Sequence, residues 1–92
     1  MTTTVRVVVS GRVQGVWYRA WTAQTASALG LDGWVRNRRD GSVEAVLSGE
    51  AAVVEAMIAR LWDGPDLAAV SAVDRFAHDE PVAPGFAVKP TA

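Results

Sequence analysis

The segment from Ser10 to Arg19, SGRVQGVWYR, contains residue types and spacing that could bind an anion. Gly11 and Gly15 permit backbone conformations in which successive N–H groups turn toward one point. A helix that begins just after this segment would direct its unpaired N–H groups and the positive end of its dipole to the same place. The segment therefore predicts a cradle for an oxyanion or phosphate group, although most glycine loops between a strand and a helix only make the turn.

Arg19 is an unusual residue for the first turn of a helix. A cation there opposes the helix dipole, at a cost of a few tenths to about 1 kcal/mol. An anion bound by the loop would convert this repulsion into attraction, and the guanidinium group could hold two phosphoryl oxygens at once. The alternative is an exposed surface arginine without a function, and for Arg19 taken alone this alternative is the better interpretation.

Asn37 lies among strand-forming residues in GWVRNRR, although asparagine is disfavoured in strands. Its side-chain amide could orient a water molecule, and it cannot take the proton of that water. It could equally help to begin the turn that follows. The sequence does not rank these two interpretations.

The composition supplies few other catalytic groups. The 92 residues contain no cysteine and one histidine, His78, which excludes thiol catalysis and a Cys-ligated metal site and leaves little for histidine chemistry. We therefore expect no metal and no cofactor. Residues 1–39 hold six of the nine cations and one acid, so the net charge of −1 conceals a basic first part. This split indicates either a local anion site or chance clustering of solvated arginines.

Hydrophobic periodicity and turn residues indicate the elements that must position these groups. They predict strands near residues 4–11, 33–38, 42–48 and 68–77, helices near 19–29 and 50–63, and a short edge strand within 85–89. This order is that of an α+β, ferredoxin-like β-α-β-β-α-β sandwich, with two helices on one face of an antiparallel sheet and a possible fifth edge strand. We expect a single domain over residues 1–92, and a cytoplasmic protein because no apolar run is long enough for a membrane span or secretory leader.

Two segments closely resemble the paired motifs of the acylphosphatase family. The first, VSGRVQGVWYR, contains the G-x-V-Q-G-V-x-aromatic-R pattern from Gly11 to Arg19. The second, GWVRNRRDGSVEAVLSG, contains the G-aromatic-V-x-N-x-x-x-G-x-V pattern from Gly33 to Val43. The resemblance implies a small, free-standing enzyme that hydrolyses acyl phosphates without a metal. Arginine outnumbers lysine eight to one, which hints at a GC-rich genome and a bacterial source.

The resemblance also implies roles for individual residues. Arg19 would bind the phosphoryl oxygens and Asn37 would orient the attacking water, which makes these two the catalytic residues. The phosphate would be bound by the backbone of the loop, which comprises Val13, Gln14, Gly15, Val16, Trp17 and Tyr18. Tyr18 is a mild departure, because phenylalanine is commoner at that position. Such a site suits a small-molecule acyl phosphate, because a carboxylate leaving group needs no protonation and phosphoryl transfer needs mainly positioning and charge stabilisation.

Two other functions remain open at this point. The same fold could be a catalytically weak phosphate-binding or accessory interaction module. RNA-recognition domains share the element order, but the strands that would stack bases, VRVVVS and SVEAVLS, contain no aromatic residue, so we expect no nucleic-acid partner. We expect a monomer that does not bind membranes. Whether Trp17 shapes substrate selectivity is left undecided, and the residues after Val88 carry no motif.

Overall fold

Seven elements follow one another in the predicted order, in a computed structural model that describes every residue from 1 to 92. They are β1 (Thr2–Arg12), α1 (Tyr18–Ala28), β2 (Asp32–Asn37), β3 (Val43–Glu50), α2 (Ala51–Leu61), β4 (Ala69–Ala77) and β5 (Phe86–Val88). The ferredoxin-like prediction is confirmed, including the short fifth strand. Each element begins or ends within a few residues of its predicted bounds.

The five strands form one sheet in the order β4-β1-β3-β2-β5. The first four strands are antiparallel to their neighbours, as predicted. The fifth strand, β5, runs parallel to β2, so the sheet is mixed at this edge. The register of the central strands matters most for function: Val9 pairs with Val43, and Val43 pairs with Asn37. The last residues of β1, the first of β3 and the last of β2 therefore lie side by side at one end of the strands.

Alternation along the strands places one set of side chains under the two helices. Residues such as Val7, Val35 and Leu47 face this side and are fully buried. Helix α2 contributes its apolar stripe, consisting of Val54, Met57, Ile58 and Leu61. Full burial of a valine or leucine side chain stabilises a fold by about 1.5 to 3 kcal/mol. The core therefore holds the strand ends beneath the helices in a fixed arrangement.

The opposite side of the sheet, which we call the open face, carries charged and aromatic side chains. Glu44 accepts hydrogen bonds from Arg6 at 2.9 Å and from Arg36 at 2.7 Å. The Arg6 guanidinium also stacks on the Phe76 ring. The Arg36 guanidinium and the Lys89 ammonium both lie over the Trp34 ring. Two of the six arginines in the basic first part of the chain are thus occupied here, so the charge asymmetry is not concentrated at the loop.

Neither of the two helices is long and apolar enough to cross a bilayer.

Candidate active site

The loop from Val13 to Trp17 joins β1 to α1 with two left-handed backbone positions. Gly15 has a φ of 74° and Trp17 a φ of 71° with a ψ of 19°. Glycine adopts this conformation freely, whereas Trp17 is the one non-glycine residue of the chain with a positive φ. No backbone N–H within the loop donates to another protein atom. Left-handed residues that alternate with ordinary ones turn successive N–H groups toward one point, and this concave set of free donors is an anion-binding geometry. Gly11, by contrast, lies within β1 at a bulge rather than in the loop.

The N-terminus of α1 continues this set of donors. The first N–H groups of a helix have no acceptor within the helix, and in α1 no side chain caps them. No aspartate or glutamate lies in the first turn. The N–H groups at Tyr18, Arg19 and Ala20 are therefore free, and the helix dipole favours a negative charge beside them.

The Arg19 side chain lines a pocket of about 260 Å³ in front of the loop. The three ion pairs of the structure involve other arginines, so the Arg19 guanidinium has no carboxylate partner. Arg19 is half-buried, and a cation beside a helix N-terminus is unfavourable unless an anion is present. The pocket thus combines a free cation with free N–H donors.

Asn37, at the last position of β2, lines the same pocket. Its side-chain oxygen Oδ1 is buried and accepts no hydrogen bond from any protein group. Buried polar atoms are nearly always paired, so this atom has spare capacity to hold a small polar molecule. Its backbone carbonyl, in contrast, accepts a hydrogen bond from the Ala92 N–H at 3.0 Å. The backbone of Asn37 is fixed while its amide oxygen is free.

Comparison with known proteins places the chain in a family. The acylphosphatase family model matches residues 5–88. The chain belongs to the acylphosphatase family. It is 57% identical over 88 residues to an acylphosphatase of Rhizorhabdus wittichii, with 94% of this chain and 87% of the relative covered. It is 55% identical to acylphosphatase 2 of Ralstonia nicotianae, with 99% of both chains covered. An acylphosphatase structure from Coxiella burnetii superposes with a TM-score of 0.91 at 39% identity, covering 96% of this chain and 93% of that one.

The resemblance inferred from the two motifs is therefore confirmed, as are the predicted enzyme class and the hydrolysis of acyl phosphates. A non-catalytic module is not favoured, because the named relatives match most of the chain at more than half identity.

Gln14 of this acylphosphatase fastens the loop to the β2–β3 hairpin. Its side-chain Nε2 donates to the Arg38 carbonyl at 2.7 Å and to the Ser42 carbonyl at 2.8 Å. These two carbonyls flank the hairpin turn that begins immediately after Asn37. The side chain of Gln14 therefore holds the donor loop and the asparagine in one unit.

Tyr18 is buried, and its hydroxyl donates to the Leu61 carbonyl at 2.6 Å. Burial raises the pKa of Tyr18 well above its ordinary value. The hydroxyl thus finds a polar partner at the end of α2 and stays protonated. The departure from phenylalanine at this position supplies no acid or base to the acylphosphatase pocket.

Six of the eight residues predicted for the site line the pocket: Val13, Gly15, Trp17, Tyr18, Arg19 and Asn37. The other two lie nearby, since the Gln14 side chain binds the hairpin and Val16 lines a neighbouring groove. Sequence reasoning missed Ala20 and Val88, which complete the lining. It also missed the segment after β5, where Lys89 and Ala92 donate to the carbonyls of Val35 and Asn37. No motif signals these contacts, because backbone groups make them.

Proposed function

We propose that this acylphosphatase acts at the pocket between the Val13–Trp17 loop and Asn37, with Arg19 and the loop N–H groups binding the phosphoryl group. One observation carries the proposal: free N–H donors and an unpaired guanidinium face the same pocket as a buried amide oxygen without a partner. The donors match a phosphoryl group with its negative oxygens, and the amide oxygen matches a water molecule.

The reaction then follows from position. Asn37 Oδ1 accepts a hydrogen bond from water and holds it near the phosphorus atom. The water oxygen forms a bond to phosphorus while the bond from phosphorus to the acyl oxygen breaks, and the carboxylate departs with the electron pair. The water proton passes to a phosphoryl oxygen of the substrate. Arg19 and the N–H groups stabilise the charge on the equatorial oxygens, which is the main requirement of a loose phosphoryl-transfer transition state.

This mechanism needs no general acid from the protein. A carboxylate is a good leaving group without protonation, whereas the alkoxide of an ordinary phosphate ester is not. Tyr18 is the one hydroxyl-bearing residue among those that line the pocket, and its hydroxyl donates to the Leu61 carbonyl. We therefore expect acyl phosphates to be cleaved and simple phosphate esters to be poor substrates.

The experiment that tests the proposal is hydrolysis of benzoyl phosphate in the presence of a metal chelator, with para-nitrophenyl phosphate alongside. Arg19→Ala should weaken substrate binding and turnover together, by about a hundredfold or more in kcat/KM. Asn37→Ala should lower kcat while KM changes little, because it removes a contact to water and none to the substrate.

Arg39→Ala is the matched control, since Arg39 is also a cation of the basic first part but does not line the pocket. It should retain wild-type kinetics. Equal and mild effects of the Arg19 and Asn37 substitutions would contradict the assigned roles. A bell-shaped pH profile that depends on a protein group would contradict transfer of the water proton to the substrate.

We further propose that residues 1–92 act as one domain, as a cytoplasmic monomer without a nucleic-acid partner. The aromatic rings of the open face, Trp34 and Phe76, are already in contact with cationic side chains, which supports the absence of base stacking. Light scattering at micromolar concentration tests whether the protein is a monomer, and RNA filter binding at low salt tests whether it binds nucleic acid. A stable dimer or salt-sensitive RNA retention would overturn these expectations.

A further inference from the structure

Exposed apolar side chains collect beside the phosphate-binding pocket. Trp17 is 59% exposed and Leu67 is 71% exposed, although both are large and apolar. They line a second groove, of about 450 Å³, next to the loop. Its other walls are Val16, Trp21, Gly64, Pro65 and Asp66. Clefts of this size and apolar character are typical of small-molecule sites in proteins.

Trp17 connects the two cavities, because it lines both the pocket with Arg19 and the apolar groove. Its backbone adopts a left-handed conformation that is an outlier for a bulky residue. It is also the residue before the first turn of α1, where an extended conformation is usual. The chain thus holds a large exposed ring, against its own backbone preference, at the junction of the two cavities. Such strain is found mainly where it serves a site.

We propose that the groove between Trp17 and Leu67 holds the acyl group of the substrate, and that Trp17 makes the enzyme selective for large apolar acyl groups, aromatic ones above all. This inference rests on the proposed function, since it places the phosphoryl group beside Arg19. The acyl oxygen leads away from the phosphoryl group, and the groove adjoins the pocket through Trp17. An aromatic acyl group would cover exposed apolar surface of Trp17 and Leu67, whereas an acetyl group is too small to do so.

The test compares kcat and KM for benzoyl phosphate and acetyl phosphate in the wild type, Trp17→Gly and Leu67→Ala. Glycine accepts the left-handed backbone at position 17, so the loop conformation is retained while the ring is removed. Both substrates share the phosphoryl end, so any disturbance of the loop N–H groups affects them alike and cancels in the ratio of their kcat/KM values. We expect Trp17→Gly to lower the benzoyl-to-acetyl ratio about tenfold, mainly through the KM of benzoyl phosphate.

Leu67→Ala should lower the same ratio by a smaller factor. Trp62→Ala is the matched control, because Trp62 is a half-exposed tryptophan that lines neither cavity. It should leave the ratio at the wild-type value.

Three results would overturn the inference. An unchanged ratio in Trp17→Gly would mean that the ring does not contact the acyl group. An increased ratio would mean that Trp17 acts as a wall against bulky acyl groups. If the wild type hydrolysed neither benzoyl phosphate nor acetyl phosphate, the proposed function itself would be overturned, and the inference with it.

Discussion

The guanidinium of Arg19 is tested most directly by a substitution that keeps the charge. Arg19→Lys retains the cation but loses the planar fork that can hold two phosphoryl oxygens. We expect kcat/KM for benzoyl phosphate to fall by about tenfold to a hundredfold, and inhibition by inorganic phosphate to weaken in parallel. Steady-state kinetics with phosphate as a competitive inhibitor measure both quantities. Wild-type values in Arg19→Lys would mean that charge alone is sufficient.

Arg19 and Asn37 stood out in the sequence because each violates a local preference, but their roles were implied only by the resemblance to the two acylphosphatase motifs. A cation at a helix N-terminus and an asparagine within a strand are unusual wherever the rest of the chain lies. The two bonds from Gln14 were not identifiable, because its acceptors at Arg38 and Ser42 lie 24 and 28 residues away. They depend on the register that brings β1 beside the β2–β3 hairpin. Trp17 was undecided for the same reason, since its groove is completed by residues near Leu67.

The link from the loop to the hairpin gives a prediction at the level of elements. Gln14→Leu removes both donors to the hairpin carbonyls, so the loop and Asn37 are no longer held in one unit. We expect kcat to fall by about tenfold, since small displacements of positioning groups are costly. The free energy of unfolding should fall by about 1 to 2 kcal/mol, because two side-chain hydrogen bonds are lost. The Arg38 and Ser42 carbonyls still accept from the backbone N–H groups of Gly41 and Arg38. Kinetics and urea denaturation measure these effects.

Gln24→Leu is the control for this variant, since Gln24 is an exposed glutamine in the middle of α1. It should leave kcat at the wild-type value. A loss of stability in Gln14→Leu with full kcat would show that the hydrogen bonds hold the fold but do not position the site.

Tyr18 joins the start of α1 to the end of α2. Tyr18→Phe keeps the buried ring and removes the hydroxyl that donates to the Leu61 carbonyl. We expect the free energy of unfolding to fall by about 1 kcal/mol, because a carbonyl at the helix end loses its donor. Chemical denaturation of both proteins at neutral pH measures the difference. Equal stability would mean that water replaces the hydroxyl at no cost.

The order of elements was predictable because each signal is local. Alternating residues indicate strands, helical spacing indicates α2, and Asp40-Gly41 marks the hairpin turn. Helix α1 ends as predicted, where the Gly30 and Leu31 N–H groups donate to the carbonyls of Ser27 and Ala26. The parallel pairing of β5 was not predictable, because three residues carry no information about their partner or direction.

For the whole molecule, Glu44 links stability to pH. It is 6% exposed, and burial by itself would raise its pKa, but hydrogen bonds and charge from Arg36 and Arg6 outweigh burial and hold the pKa below its ordinary value. A lowered native pKa stabilises the fold above the unfolded pKa, near about 4.3. This contribution disappears as the pH falls through the native pKa. We therefore expect acid to destabilise the protein below about pH 5 in part through Glu44.

Glu44→Gln should lower the free energy of unfolding by about 1 to 2 kcal/mol at pH 7 and make it less dependent on pH in the acidic range. Denaturation measured at several pH values between about 3 and 7, where carboxylates titrate, would give both changes. Glu55→Gln is the control, since Glu55 pairs with Arg75 on the exposed surface, where solvent screens the interaction. A flatter pH dependence in Glu55→Gln than in Glu44→Gln would contradict this assignment.

The free N–H groups of the loop and the partnerless oxygen of Asn37 also concentrate unpaired polar groups at the site. The folded chain itself pairs none of these groups, and the Asn37 oxygen is buried, so folding without a ligand forgoes stability that an inactive sequence would keep. The reaction product should recover part of this loss: inorganic phosphate, compared with chloride at equal ionic strength, should raise Tm in the wild type and less in Arg19→Ala. Heat resistance and turnover would then oppose each other in this protein, and stabilising substitutions found without regard to activity should concentrate in the loop.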